Sequence, residues 1–172
     1  MEGVVLQYRK IHIIGGPGSG KTFSAAKLQQ VTGLNGFDLD SVFWEKNEFA
    51  YVRSSEHART EKLNHILSHD NWIVEGVYYK WLASLFRDAD LIVILNPPTL
   101  LRQWRIFKRF LKRKFVLGHY QKESLASFLQ MFWWNQGFDQ DNMVRILDFI
   151  HEYEDKIIYC KNYNEIWREL SK

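Results

Sequence analysis

Short apolar segments alternate with longer segments of helical periodicity along the whole chain. The apolar segments predict five strands, at residues 8–14, 36–40, 72–76, 91–95 and 156–160. The intervening segments predict helices over residues 20–32, 55–69, 79–87, 98–114, 122–135, 140–152 and 163–171. Ser54 is predicted to cap the second of these helices, and the stretch from residue 41 to Arg53 is predicted to be irregular. Such an alternation predicts an α/β fold in which helices cover both sides of a mostly parallel sheet. We expect one domain over residues 1–172, with an extra helical piece, a lid or helical insertion, around residues 110–152.

Composition agrees with a globular domain of ordinary type. The chain has 172 residues, of which 46% are apolar and 25% charged, so it is long enough to bury a substantial core. The net charge of +3 neither requires nor excludes an anionic partner. Cys160 is the single cysteine and cannot form an internal disulfide. Because neither a secretory signal nor a membrane-spanning apolar run is evident, we expect a cytoplasmic protein without a membrane partner.

The loop after the first predicted strand is the most specific motif of the chain. It fits the pattern G-x-x-x-x-G-K-[ST] and consists of Gly15, Gly16, Pro17, Gly18, Ser19, Gly20, Lys21 and Thr22. Its glycines allow successive backbone N–H groups to point at phosphate oxygens. Lys21 is predicted to reach the β- and γ-phosphates of ATP, and the Thr22 hydroxyl to hold Mg²⁺. The helix that follows points its positive N-terminal end at the same phosphates.

Three acidic residues follow the second and third predicted strands. In open parallel sheets, ligands bind beyond the carboxyl ends of the strands, where Asp38, Asp40 and Glu75 are expected. Asp40 is placed to accept a hydrogen bond from a substrate hydroxyl, and Glu75 to lie near Mg²⁺ and its waters. Asp38 and Arg59 are further candidates for substrate binding. For each acid the alternative is a cap of a turn or of a helix.

A long basic helix follows the fourth predicted strand. At 100° per residue, one face collects five cations: Arg102, Arg105, Arg109, Lys112 and Arg113. The opposite face collects Leu100, Trp104, Phe107, Leu111 and Phe115, so we predict that the aromatic face packs and the cationic face is presented. The cations could belong to a kinase lid that closes over phosphates, to a surface that binds the nucleic-acid backbone, or to a solvated face. The position of the helix beside the phosphate loop favours the lid.

The order of these motifs resembles that of P-loop kinases related to adenylate kinase, in particular the FlaR-type DNA topology modulation proteins. The resemblance lies in the GGPGSGKT loop, the segment from Phe37 to Trp44, the segment from Trp72 to Tyr78, and a Trp-Arg-rich helix from Trp104 to Arg109. It implies a P-loop NTPase fold with a three-layer, five-stranded parallel sheet and a mobile lid. It also implies that Arg105 and Arg109 are lid arginines and that Asp40 binds the acceptor. Glu75 stands where this family usually has an aspartate.

Together these features predict an ATP- and Mg²⁺-dependent kinase. Its catalytic candidates are Lys21, Asp40, Arg105 and Arg109, and its acceptor is a small molecule, with a nucleoside monophosphate as one candidate. A guanine-reading Asn/Thr-Lys-x-Asp motif is absent from the sequence, which argues against a GTPase. Two alternatives stay open at this point: a nucleotide-binding regulator that acts on DNA topology with little phosphotransfer, and a weak ATPase whose acceptor is water.

Overall fold

A five-stranded parallel sheet forms the centre of the molecule. In the computed structural model, which describes residues 7–47, 51–115 and 125–172, the sheet has the order β2-β5-β1-β6-β7. Its strands are β1 (Lys10–Ile14), β2 (Gly36–Asp38), β5 (Trp72–Gly76), β6 (Leu91–Leu95) and β7 (Ile157–Cys160). All neighbouring pairs are parallel. The α/β class and the five predicted strands are therefore confirmed.

The helices connect these strands and cover both faces of the sheet. They are α1 (Lys21–Thr32), α2 (Leu39–Phe43), α3 (Glu56–Leu67), α4 (Ala83–Asp88), α5 (Thr99–Phe115), α6 (Leu125–Gly137), α7 (Asn142–Phe149) and α8 (Tyr163–Leu170), with a 3₁₀ helix at His151–Lys156. None of the described helices has the length and apolar character that crossing a bilayer requires. Residues 116–124, within the predicted lid, lie outside the described residues.

Two apolar cores lie on opposite faces of the sheet, and they explain why the strand sequences are almost continuously apolar. Successive side chains of a strand point to opposite faces. On β6, Val93 packs with Leu28 of α1 and Ile166 of α8, whereas Ile94 packs with the core under α3, α4 and α7. Strands buried on both faces need no polar alternation. The result is the expected three-layer arrangement, and it aligns the carboxyl ends of the strands along one edge.

Three local predictions differ from the structure. The second strand ends at Asp38 rather than at residue 40, because the Asp38 side chain accepts a hydrogen bond from Asp40 N (2.8 Å) and begins α2. The predicted cap of α3, Ser54, is buried, and Ser55 caps the helix instead by accepting from Ala58 N (3.1 Å). The predicted irregular stretch before Arg53 contains an antiparallel pair, β3 (Trp44–Lys46) and β4 (Tyr51–Arg53).

The orientation of α5 is the largest correction to the sequence analysis. The predicted packing face is exposed: Leu100 is 80% exposed and Trp104 is 54% exposed. Arg102, predicted on the presented cationic face, is fully buried together with Ile106 and Phe110. The side chain of Arg113 lies outside the described residues. The physical reason is that Ile106 and Phe110 share this face of α5 and bury it, while Arg102 is paired there with Asp139, so its charge is compensated in the interior.

His12 is a buried histidine in the central strand. Its ring is 4.9 Å from the Phe86 ring, and neither ring nitrogen has a hydrogen-bond partner in the described part of the chain. Because burial excludes water from the charged form, the pKa of His12 falls from 6.5 to about 3.

Replacing His12 by Leu is expected to flatten the dependence of stability on acid pH. The native state does not protonate His12 until pH about 3, whereas the unfolded chain does so near pH 6.5. Between these values the free energy of unfolding therefore falls by up to about 1.4 kcal/mol per pH unit on lowering the pH. His12→Leu removes this contribution. As the pH falls, the urea midpoint of the wild type should therefore decrease relative to that of the variant. Replacing the exposed His57 by Gln should leave the profile of the wild type unchanged.

Candidate functional site

The phosphate loop adopts a curled conformation at the carboxyl end of β1. Gly18 has a φ of 72°, in the left-handed region that favours glycine, and a Cβ added there would lie 2.6 Å from the carbonyl oxygen of Arg102. The loop turns back on itself through a hydrogen bond from Ser19 N to Gly16 O (3.2 Å). It ends at Gly20, the residue before α1, so the N-terminus of that helix faces the loop. This is the geometry in which backbone N–H groups bind an anion.

Arg105 is bound to the phosphate loop itself. Its Nη1 donates to the carbonyl oxygens of Gly18 (3.2 Å) and Ser19 (2.8 Å). These bonds hold a guanidinium beside the loop while satisfying two carbonyl groups that would otherwise repel an anion. Arg109, one turn later on α5, lines the same cleft, and its Nη2 lies 2.7 Å from Met131 Sδ on α6. Arg105 is therefore in contact with the phosphate loop, and Arg109 lines the cleft that the loop borders, while their role in a lid stays a prediction.

Arg102 is buried and packs against the phosphate loop from the interior of the protein. Its guanidinium is fully buried and donates to Thr99 (3.1 Å) and to Asp139 (2.5 Å), which lies between α6 and α7. A Cβ added at Gly16 would lie 2.9 Å from Arg102 Nη1, so the guanidinium is packed directly under the loop. This role could not be predicted from the sequence, since nothing in an amphipathic pattern distinguishes a buried, paired arginine from an exposed one.

Replacing Asp139 by Ala is expected to destabilise the protein by about 2–3 kcal/mol. Removing one partner of a buried ion pair leaves the other charge uncompensated, and the cost is moderated here because Asp139 is partly exposed. The urea midpoint should fall with an unchanged slope. The double variant Arg102→Met/Asp139→Leu removes both charges and should lose less stability than the single variant. If Asp139→Ala unfolds at the wild-type midpoint, the pair does not support the loop.

The three acids occupy the predicted edge of the sheet. Asp38 and Glu75 are register partners on the neighbouring strands β2 and β5. Asp40 follows in the first turn of α2 and lines a cleft of about 710 Å³ that also contains Lys21. Tyr78 donates a hydrogen bond to Asp40 Oδ1 (2.8 Å). Burial, followed by the charge of Asp40, raises the pKa of Tyr78, so the phenol stays protonated and acts as a donor.

Glu75 has the environment of a ligand for a metal ion or for its water. The side chain is buried, and its Oε2 has no hydrogen-bond partner within the described ranges. Burial raises the pKa of Glu75, while the charge of Lys21 and a hydrogen bond from Thr22 lower it. In the described parts of the chain, no group of three or more acidic, His or Cys side chains could hold a metal alone. The residues thus fit Mg²⁺ that is also held by phosphate oxygens, which is its usual mode of binding.

Asp38 and Arg59 have structural partners in this arrangement. Asp38 caps α2, which is the alternative that the sequence analysis gives for each acid. Burial raises the pKa of Asp38. The Arg59 guanidinium lies beside two stacked aromatic rings, 5.4 Å from the centroid of Phe43 and 5.6 Å from that of Trp81. Arg59 does not line the cleft. Substrate binding by Asp38 and Arg59 stays a prediction, and both side chains have an observed role in shaping the region around α2.

Side chains from α6, α7 and the segment after β5 complete the cleft. They are aromatic or apolar and include Val77, Tyr78, Tyr79, Met131, Trp134, Phe138 and Ile146. An aromatic run on a helix usually belongs to a core, but Trp133 and Trp134 are 65% and 43% exposed, and Trp134 lines the cleft. The spacing of aromatic residues along α6 shows a helix but does not show which of its faces meets the phosphate loop.

A second pocket of about 440 Å³ adjoins the loop on the other side of Arg105. It is lined by Gly20, by Phe23 and Lys27 of α1, and by residues 162–164, where α8 begins. Lys27 Nζ lies 4.2 Å from the centroid of the Tyr163 ring. The pocket therefore offers exposed aromatic surface and polar groups next to the N-terminus of α1.

Comparisons with known proteins support the fold. No protein-family model and no curated protein matches the sequence. Among solved structures, a shikimate kinase from Acinetobacter baumannii in complex with shikimate is similar, with 16% sequence identity and a TM-score of 0.55. The match covers 95% of this chain and 90% of that chain. The chain thus has the fold of a P-loop kinase, while its resemblance to the FlaR-type proteins stays a prediction.

Proposed function

We propose that this protein is an ATP- and Mg²⁺-dependent kinase that transfers the γ-phosphoryl group to a small hydroxylated acceptor. One observation carries the proposal: the curled phosphate loop with Lys21, the acid Asp40 and the arginines Arg105 and Arg109 all line a single cleft. An NTP-binding loop alone would need no acid across the cleft. The matching shikimate kinase, whose structure contains the small molecule shikimate, supports the same class of reaction.

Each part of the site has a role in this proposal. The triphosphate lies on Gly15–Thr22, with Lys21 and the two arginines neutralising charge that develops in the transition state. Thr22 and Glu75 would hold Mg²⁺, which, when bound, shields the charge of the phosphate oxygens. We place the base of ATP in the second pocket, which Phe23 and Tyr163 line. We also propose that the chain is a single domain with a lid over residues 110–152. A cytoplasmic location, where ATP is abundant, agrees with this function.

Asp40 binds and orients the acceptor in this proposal. Its Oδ1 accepts from Tyr78, and its Oδ2 has no partner among the described residues, so it can accept the hydrogen of an acceptor hydroxyl. A hydroxyl held there faces Lys21 across the same cleft. Positioning of this kind is the main requirement for phosphoryl transfer, which needs little covalent chemistry from the protein.

An ADP-release screen tests the proposed reaction. The purified protein is incubated with Mg-ATP and a panel of nucleoside monophosphates, nucleosides and small hydroxylated metabolites. We expect at least one acceptor to raise ADP release well above the rate with water alone. Steady ATP hydrolysis that no acceptor stimulates would identify a weak ATPase instead.

The alternative of a regulator that acts on DNA was based on the cations of α5. Two of these cations do not form part of an exposed stripe, because Arg102 is buried and Arg105 is bound to the phosphate loop.

A further inference from the structure

Two peptide groups of the phosphate loop are held by one side chain of α5. Arg105 Nη1 donates to the carbonyl oxygens of Gly18 (3.2 Å) and Ser19 (2.8 Å). These oxygens belong to the peptide groups that join Gly18 to Ser19 and Ser19 to Gly20. Neither peptide bond is cis, so the C=O and the N–H of each group point in opposite directions. A hydrogen bond that fixes the oxygen therefore also fixes the direction of the N–H.

The two peptide groups differ in what their N–H groups do. In the first group, the Ser19 N–H donates to Gly16 O (3.2 Å), so this peptide is held from both sides. In the second group, the oxygen accepts from Arg105, whereas the Gly20 N–H donates to no group in the described part of the chain. A backbone donor that has no partner in an anion-binding loop is available to a phosphate oxygen.

Glycines beside these peptide groups give the loop other conformations to adopt. Gly18 and Gly20 have φ values of 72° and 97°, and a glycine moves readily between such values and negative ones. If the peptide group between Ser19 and Gly20 turned over, its oxygen would take the place of its N–H and would repel a phosphate. Arg105 opposes this change, because turning the group over breaks its hydrogen bond to Ser19 O.

We propose that Arg105 is a positioning residue, which keeps the phosphate loop in its anion-binding conformation before a nucleotide binds. Its charge lies beside the loop at the same time, so positioning adds to the electrostatic role of the arginines in the proposed reaction. Arg109, one turn later on α5, lines the cleft and contacts Met131 on α6. The two arginines that the sequence analysis groups together therefore differ in role. The inference rests on the proposed function only in taking a nucleotide as the ligand of the loop.

Hydrogen exchange in the nucleotide-free protein tests the positioning role. The Ser19 amide is the reporter, because its hydrogen bond to Gly16 O lies within the loop. Arg105→Met should raise the exchange rate of this amide at least about tenfold, while the amides of β1 keep their wild-type rates. Arg109→Met removes a guanidinium one turn away and leaves both carbonyl bonds in place, so Ser19 should exchange as in the wild type. Arg105→Lys retains a donor and should recover most of the protection.

Calorimetry with Mg-ADP measures the consequence for binding. Arg105→Met should bind Mg-ADP at least about tenfold more weakly than the wild type, and Arg105→Lys should lie between them. Lys108→Met, which changes an exposed cation of the same helix, should bind within about twofold of the wild type.

Three results would overturn the positioning role. Arg105→Met could lose affinity while the Ser19 amide keeps its protection, which would mean that the arginine acts only on the phosphates. Exchange could rise equally at Ser19 and in β1, which would indicate a general loss of stability. Mg-ADP could bind Arg105→Met as tightly as the wild type. None of these measurements needs phosphoryl transfer, so a failure of the kinase proposal would show separately, in the ADP-release screen.

Discussion

Replacing Lys21 by Met is expected to lower the rate of phosphoryl transfer by at least about 100- to 1,000-fold while the protein stays folded. Lys21 begins α1 and lines the same cleft as Asp40. Its charge stabilises the phosphate oxygens as the bond to the leaving group breaks, and a preorganised charge of this kind contributes about 3–4 kcal/mol to the barrier. Methionine retains the length of the side chain and removes only the charge. The measurement is ADP release at saturating acceptor.

A matched variant separates this role from a general effect of charge. Lys108 lies on the exposed side of α5, 5.8 Å from the Trp104 ring centroid and away from the cleft. Lys108→Met loses the same charge and should keep the wild-type rate within about twofold. Thermal unfolding of Lys21→Met should lie close to that of the wild type, since the side chain is not part of either core. If Lys21→Met releases ADP at the wild-type rate, the phosphate loop is not part of the reaction.

Replacing Asp40 by Asn is expected to lower the acceptor-dependent rate by roughly 10²- to 10⁴-fold. The amide is similar in shape and can still accept from Tyr78, but it cannot take the acceptor proton or attract the hydroxyl with a charge. The affinity for ATP should change little, because the phosphate loop supplies those contacts. Single-turnover kinetics with a fixed acceptor separate the chemical step from binding.

The control for Asp40 is an acid on a neighbouring exposed surface. Asp148 lies on α7, outside the cleft, and Asp148→Asn removes the same charge. Asp38→Asn is a second comparison, because an asparagine can still cap α2. A large loss in Asp38→Asn would add Asp38 to the acceptor site, as its position in the sequence predicts. A wild-type rate in Asp40→Asn would remove Asp40 from the mechanism and leave the acceptor without a described base.

Features that depend on contiguous sequence could be predicted well. The strand Leu91–Leu95 is apolar throughout because both of its faces are buried, and the phosphate loop depends on closely spaced glycines. That Asp38 and Glu75 lie at one edge of the sheet follows from the parallel fold class, whereas their pairing across β2 and β5 depends on a strand order that the sequence did not predict. In each case a local pattern and a general rule of topology were sufficient.

Features that depend on tertiary contacts could not be predicted in this way. Periodicity identifies α5 as amphipathic, but it cannot show that Asp139, 37 positions along the chain, would pair with Arg102 and turn that face inward. The aromatic wall of the cleft comes from α6 and α7, whose packing brings Trp134 and Ile146 to the phosphate loop. The cap of α3 shifted by a single residue because two serines are adjacent and both are suitable caps.

The most direct test of the account follows the γ-phosphate itself. The wild type and Lys21→Met are incubated with Mg-ATP labelled at the γ-phosphate and with an acceptor that raises ADP release in the screen, and the products are separated. The proposed mechanism predicts a labelled phosphate monoester of the acceptor, formed in step with ADP by the wild type and reduced to background in Lys21→Met. Label found only as free phosphate, or an equal amount of labelled acceptor with the variant, would contradict it.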